Sequence, residues 1–414
     1  MAYTHQESSS SEVDPTTLPS PPTHPDANIV SRFVDTSPWG LVFHILECIP
    51  PSRAPGERKL ILLAHGFPEV SYSWRKVLPL LAAEGYHAVA YDLRGFGRTF
   101  SRQPLTEKSF RPASLVTDAL ALVSALGYDS VAAIVGHDFG AVTASMCSLA
   151  RPDIFKSLVL MSHPVRGPFT LPFGTSPSAG QPSKNTEEKA SGGVHEELAK
   201  LQPPRKHYQR YYCTSNANGE MTYPGGAALR TFLRGYFHLK SADWDGNTPH
   251  RLDDGSATQL ARMPHYYIMP ADKTMREAVA DEMTQKEIAL AQKVAGRWLS
   301  DEELGFYAEE WGRTTFLGGL NWYCLTVKPD LLADAQIWSG RKISVPTVFV
   351  AGTRDWGSFQ DPGALEALED EVFVEDGKYL GTVLVDGAGH WINQEQPATC
   401  AREILRMAGV AGEV

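Results

Sequence analysis

The chain lacks several of the features that would assign it to a broad class. Among 414 residues there are only five cysteines, at 48, 147, 213, 324 and 400, an odd number with no Cys-x-x-Cys pair. Such usage suits a reducing compartment and indicates neither a disulfide framework nor a zinc site. No Lys/Arg-rich run occurs and the formal net charge is −10, which argues against a nucleic-acid partner or an anionic membrane surface. No apolar stretch reaches the roughly 18 residues that a membrane span requires. The N-terminus shows no basic start followed by an apolar core, and the closing Gly412-Glu413-Val414 is not a retention or peroxisomal signal. No His-x-x-x-His or His-Glu-x-x-His pattern is found, so neither a metal nor a cofactor is expected. A soluble, cytoplasmic protein acting on a small molecule is the expectation. The one macromolecular partner considered is a second copy of the chain.

What is present is mostly core-forming material, 43% of it hydrophobic. Residues 1–28 are rich in Ser, Thr and Pro and poor in large apolar side chains. Such a segment buries too little surface to offset its ordering entropy, and it is read as a flexible tail. Short apolar runs follow at Leu41–Cys48, Leu60–Ala64, His87–Tyr91, Val131–Val135 and Ser157–Met161. Between them Trp74–Glu84 and Leu115–Leu126 carry apolar residues three and four apart, the spacing of helices. Strands that are apolar throughout and separated by helices predict a mostly parallel sheet covered on both faces.

The pattern breaks at Gly167–Gly193, which is rich in Ser, Pro and Gly, and residues 194–339 then read as mainly helical and aromatic. Strand character returns at Val345–Val350 and Thr382–Val385, before a final helix at Cys400–Ala408. A sheet pattern that resumes implies one α/β core, residues 29–165 and 340–414, interrupted by an inserted helical cap at 166–339.

Open parallel sheets bind ligands beyond the carboxyl ends of their strands. Four polar turns follow predicted strands there: His65-Gly66-Phe67-Pro68, Gly136-His137-Asp138-Phe139-Gly140, the stretch from Ala351 to Gly357 with Asp355, and Gly387-Ala388-Gly389-His390-Trp391. Singly, Asp138 is an ordinary helix N-cap, Asp355 a turn cap and His390 a packed histidine. Together they fall in the order nucleophile, acid, histidine, with an aspartate where a strand-turn-helix elbow commonly holds serine. A carboxylate suits displacement at saturated carbon, which leaves an ester whose carbonyl belongs to the enzyme. The following helix aims backbone N–H groups at Asp138 and favours its ionised form. Asp92-Leu93-Arg94-Gly95-Phe96-Gly97 contains Gly-x-Gly but no third glycine opening a helix, so it is not read as a nucleotide loop.

These motifs, with His207–Tyr212 (HYQRYY) and Gly318–Tyr323 (GGLNWY) in the insertion, resemble the epoxide hydrolase branch of the α/β-hydrolase superfamily over nearly everything after residue 30. The resemblance implies that Asp138 is the nucleophile, that His390 activates a water, and that Asp355 orients the imidazole. It also implies an oxyanion hole from the backbone N–H groups of Phe67 and Phe139. Two cap tyrosines are implied to serve the leaving oxygen, with Tyr323 the firmer match; Tyr208 competes with Tyr211, Tyr212, Tyr266 and Tyr267. Substrate contact is expected from Phe67, Phe139, Trp322, Trp356 and Trp391, and the aromatic cap points to an apolar, bulky substrate. Two alternatives stand beside this reading. Dehalogenases share the Asp-His-acid machinery, but Phe139 has no indole N–H for a departing halide. A pocket that binds or steers a reactive intermediate without hydrolysis is the other.

Overall fold

The computed structural model describes residues 13–51, 54–166 and 193–411. Apart from Gly193, the Gly167–Gly193 stretch therefore lies outside the described residues, as do residues 1–12. The strands are β1 (Val30–Asp35), β2 (Leu41–Cys48), β3 (Lys59–Ala64), β4 (Tyr86–Tyr91), β5 (Phe100–Ser101), β6 (Val131–His137), β7 (Leu158–Met161), β8 (Arg205–His207), β9 (Ile268–Pro270), β10 (Thr347–Gly352) and β11 (Tyr379–Val385). The large sheet runs β1-β2-β4-β3-β6-β7-β10-β11, and β5 adds to β2. Pairing is parallel from β4 through β11 and antiparallel at the β1, β2 and β5 end.

The central strands are continuous apolar runs because both faces are covered. Leu60, Ile61, Leu62, Leu63 and Ala64 are all fully buried. The short strands β5, β8 and β9 were not predicted, and neither was the longer β1. Its sequence Val-Ser-Arg-Phe-Val-Asp buries only Val34, and as an edge it holds polar side chains such as Arg32, whose Nε donates to Glu47 at 2.6 Å. The stretch predicted as one helix at Trp74–Glu84 is instead a 3-10 turn, Ser71–Trp74, followed by a helix, Leu78–Ala83. Pro79 lies in the first turn of that helix, where a fixed φ and a missing N–H are tolerated, and it places the start there.

Between Met161 and Thr347 the described chain adds no strand to the large sheet. It forms the small β8–β9 ribbon and helices that include Ala227–Leu239, Asp301–Thr314 and Leu317–Val327. Their starts are written locally. Ser300 and Thr274 each accept from the backbone N–H three residues on, while Glu303 and Glu277 accept from the cap residues' own N–H groups at 2.7 Å.

This helical region is tied to the core by buried polar contacts. Arg75 Nε donates to Glu303 at 2.7 Å, Arg98 Nε to Glu310 at 2.9 Å, and Trp311 Nε1 to the Pro68 carbonyl at 2.8 Å. Part of the segment read as a flexible tail is engaged as well. Arg98 donates to the Pro19 carbonyl at 2.7 Å, and the Tyr72 hydroxyl to that of Pro22. No helix among the described residues is long and apolar enough to cross a membrane.

Candidate active site

The end of β6 and the start of the helix Phe139–Ala150 form a sharp elbow with Asp138 at its apex. Asp138 has φ 51° and ψ −120°, a backbone region costly for any residue with a Cβ. The two flanking glycines permit the turn. A Cβ on Gly136 would stand 2.1 Å from the Gly140 carbonyl oxygen, and one on Gly140 would stand 2.4 Å from that of Ala64. Asp138 occupies the helix N-cap position, yet its side chain makes no capping bond. The carboxylate points elsewhere.

Oδ1 accepts from the backbone N–H of Phe67 at 3.0 Å. Oδ2 stands 3.3 Å from His390 Nε2, out of line for a hydrogen bond between them. On the other side of the ring, His390 Nδ1 lies 3.0 Å from Asp355 Oδ1, which also accepts from the Gly357 N–H at 2.7 Å. With Nδ1 donating to Asp355, the neutral form of the ring presents its lone pair on Nε2. All three side chains are buried.

Burial by itself raises a carboxyl pKa, but Asp138 is held well below the ordinary carboxylate range by the contact and charge of His390 and by the charges of Lys240 and His137. Phe139, the first residue of the helix, holds one of the backbone N–H groups that have no partner within the helix.

Above Asp138 lies a wall of rings from both parts of the molecule. The Tyr323 ring is 4.8 Å from Phe139, 5.5 Å from Phe67, 5.6 Å from Tyr208 and 4.8 Å from Tyr212. Burial pushes the phenols of Tyr208 and Tyr323 well above their usual pKa, and the negative charge of Asp138 pushes both further. They remain protonated donors. The competing tyrosines are engaged elsewhere in three cases: Tyr211 donates to Glu220 at 2.8 Å, Tyr212 pairs with Tyr236 at 3.2 Å, and Tyr266 donates to Asn247 at 2.6 Å. The hydroxyl of Tyr267 finds no partner among the described residues. Tyr208 donates to Gln360 at 3.0 Å.

The three tryptophans occupy different settings. Trp322 stands 5.9 Å from the Phe139 ring, and its indole N–H is engaged by the Arg94 carbonyl at 2.9 Å. Trp391 is fully buried behind His390, with its N–H on the Phe237 carbonyl at 2.8 Å. Trp356 packs against His250 at 4.9 Å.

Sequence reasoning missed a supporting layer. Glu69 meets His137 Nδ1 at 2.6 Å and accepts from Asn393 and Gln394, while His137 Nε2 lies 2.6 Å from the His390 carbonyl. Burial lowers a histidine pKa, yet the Glu69 carboxylate drives that of His137 up to about 9. Lys240 is 3% exposed and sits among the rings of Tyr236, Tyr266, Tyr267 and Trp391, and its carbonyl receives the His390 N–H at 2.8 Å. The available signals were a polar residue ending an apolar strand (His137), an acid in the loop that follows another (Glu69), and a lysine closing an aromatic helix (Lys240).

An elbow on a mostly parallel sheet, with a histidine and a second acid delivered by later loops, defines a hydrolase of the α/β-hydrolase fold. The model of that fold family matches residues 59–186. Across the whole chain the likeness is narrower. It is 30% identical over 373 residues to epoxide hydrolase B of Mycobacterium tuberculosis, covering 89% of this chain and 96% of that protein. The solved epoxide hydrolase from an endophytic Streptomyces superposes with a TM-score of 0.67 at 27% identity, covering 92% of this chain and 95% of that one. Potato (Solanum tuberosum) epoxide hydrolase I gives a TM-score of 0.63 at 27% identity, over 91% and 98%. The chain belongs to the epoxide hydrolases.

Proposed function

We propose that this enzyme opens an epoxide to a vicinal diol through a covalent ester on Asp138. The observation that carries the reading is one carboxylate with three kinds of neighbour: a backbone donor on Oδ1, the His390–Asp355 pair beside Oδ2, and two protonated cap tyrosines whose phenols sense its charge. In the first step Oδ2 attacks a ring carbon and the carbon–oxygen bond breaks. The departing alkoxide takes hydrogen bonds from Tyr208 and Tyr323 and one proton from one of them, which leaves that residue as the tyrosinate. In the second step His390 Nε2 removes a proton from water as that water attacks the ester carbonyl carbon, and Asp355 stabilises the imidazolium. The oxyanion on Oδ1 is met by the N–H groups of Phe67 and Phe139; one such donor is typically worth ~3 kcal/mol of barrier. On collapse the ester carbon–oxygen bond breaks, the His390 imidazolium gives its proton to the departing diol oxygen, and the Asp138 carboxylic acid so formed loses its proton to the tyrosinate, restoring carboxylate, imidazole and phenol.

The rings of Phe67, Phe139, Tyr212 and Tyr323 around Asp138 favour an apolar epoxide. The same surroundings weigh against halide release, because the indole nearest Phe139, that of Trp322, has its N–H engaged by a backbone carbonyl. A single turnover in heavy-oxygen water with a panel of epoxides tests the mechanism. The first diol should carry light oxygen from Asp138, with label appearing in the protein. Label in the first diol would refute the ester. His390→Gln should accumulate the alkyl-enzyme as added mass with any epoxide that is turned over.

A further inference from the structure

His390 is carried by a loop whose own side chains do little to hold it. Between the end of β11 at Val385 and the helix Ile392–Glu395 the chain reads Asp386-Gly387-Ala388-Gly389-His390-Trp391. Gly387 takes φ 71°, a conformation that leaves such a loop wide freedom unless something outside it intervenes. The loop is fixed through its backbone. Three consecutive N–H groups meet acceptors: that of His390 donates to the Lys240 carbonyl at 2.8 Å, and those of Gly389 and Trp391 each donate to Glu395 Oε1 at 3.1 Å. Glu395 Oε2 lies 3.2 Å from the Gly389 nitrogen as well and accepts from the Ala242 N–H at 2.8 Å.

An acid in the first turn of a helix often accepts from the N–H of the residue that caps it, and the bond from Trp391 resembles that arrangement. The bond from Ala242 does not. It comes from the helical insertion, 153 residues away along the chain. The two backbones touch there, since a Cβ on Gly389 would stand 2.4 Å from the Ser241 carbonyl carbon and 2.6 Å from the Ala242 nitrogen. Glu395 thus joins its own helix, the histidine loop and residues 240–242 of the insertion. We propose that Glu395 is a positioning residue for the second step of the reaction: by holding the N–H groups on both sides of His390 against the insertion, it places the imidazole for hydrolysis of the Asp138 ester, while formation of that ester does not depend on it. The proposal rests on the role given above to His390. Attack by Asp138 and opening of the ring neither add a proton to His390 nor take one from it, so a displaced imidazole leaves the first step intact. Removal of a proton from water requires Nε2 in place, and a misplacement of about 1 Å costs on the order of 100-fold.

The test follows the alkyl-enzyme mass by rapid quench, with an epoxide that is turned over, in full-length wild type, Glu395→Ala, Glu395→Gln and His390→Gln. Glu395→Ala removes both acceptor oxygens. It should form the ester at the wild-type rate and hydrolyse it on the order of 100-fold more slowly, so that added mass builds up. Glu395→Gln keeps one acceptor oxygen and should recover part of that loss. A merely structural role would slow both steps together, or lower the melting temperature and slow neither. Equal slowing of both steps, or wild-type hydrolysis in Glu395→Ala, overturns the proposal; if that variant does not fold, wild-type hydrolysis in Glu395→Gln overturns it. Ester that accumulates in His390→Gln but in neither Glu395 variant overturns the proposal alone. No ester in His390→Gln overturns the reading of His390, and the proposal with it.

Discussion

Gly318→Ala tests whether the cap helix that carries Tyr323 must rest directly on the core. A Cβ at Gly318 would stand 1.9 Å from the Gly95 carbonyl oxygen and 2.6 Å from its carbonyl carbon, both backbone atoms that cannot rotate away. Ordinary contact begins near 3.4 Å, so the helix start must retreat by 1.5 Å. Tyr323 is five residues further along the same helix. A misplacement of about 1 Å at reacting groups costs on the order of 100-fold in rate, and overpacking costs ~1–3 kcal/mol of stability. The variant should therefore remain folded, lose about 100-fold in the rate of Asp138 ester formation, and melt at a lower temperature. Rapid-quench mass measurement of the ester, with a thermal melt alongside, reads both quantities. Gly305→Ala is the control. It lies inside the helix Asp301–Thr314 with nothing within 4 Å of the added methyl, and should stabilise by about 0.5–1 kcal/mol without changing the rate. A folded Gly318→Ala enzyme forming ester at the wild-type rate would refute the argument that this backbone contact positions Tyr323.

Three further outcomes are expected. Tyr323→Phe and Tyr208→Phe should each slow ester formation about 100-fold, as loss of one donor to a developing oxyanion does; a normal rate in either removes that residue from the reaction. The Glu69–His137 pair should shape acid and alkaline stability. His137 is raised from 6.5 to about 9 and Glu69 lowered from 4.5 to about 2. The histidine's contribution is full below pH 6.5 and lost as pH rises through 9, whereas the glutamate's is full above pH 4.5 and lost as pH falls through 2. Melting temperature against pH should flatten on both limbs in Glu69→Gln, and an unchanged profile would refute the pairing. Asp118→Ala should cost about 3–5 kcal/mol in a denaturant titration, because it strands the buried Arg94 guanidinium that now donates to Asp118 Oδ2 at 2.8 Å; a cost below about 1 kcal/mol would mean that the pair is screened like a surface one.

Legibility in the sequence tracked how local the physics was. The apolar runs at Leu60–Ala64 and Val131–Val135 became central strands because burial on both faces removes any need for alternation. The edge strand β1 was not legible, since a strand with one solvent-facing side carries polar residues such as Ser31 and Arg32, whose strand partners lie on β2. The elbow around Asp138 was readable from two glycines and a strand-to-helix change. Glu69, His137 and Lys240 were not, because each is defined by a partner far along the chain: Asn393 and Gln394 for Glu69, the His390 carbonyl for His137, and the rings of Tyr266, Tyr267 and Trp391 for Lys240.

By itself the sequence determined what short-range sterics and periodicity can write. These are the order of the central strands and their helices, the capping boxes, and a carboxylate at a strand-to-helix turn flanked by glycines. Tertiary structure alone decided which groups meet. It engaged Tyr211, Tyr212 and Tyr266 with other partners and the indoles of Trp322 and Trp391 with backbone carbonyls. It also decided the charge of Asp138, since burial and the surrounding cations act in opposite directions and only their distances in the fold determine which prevails.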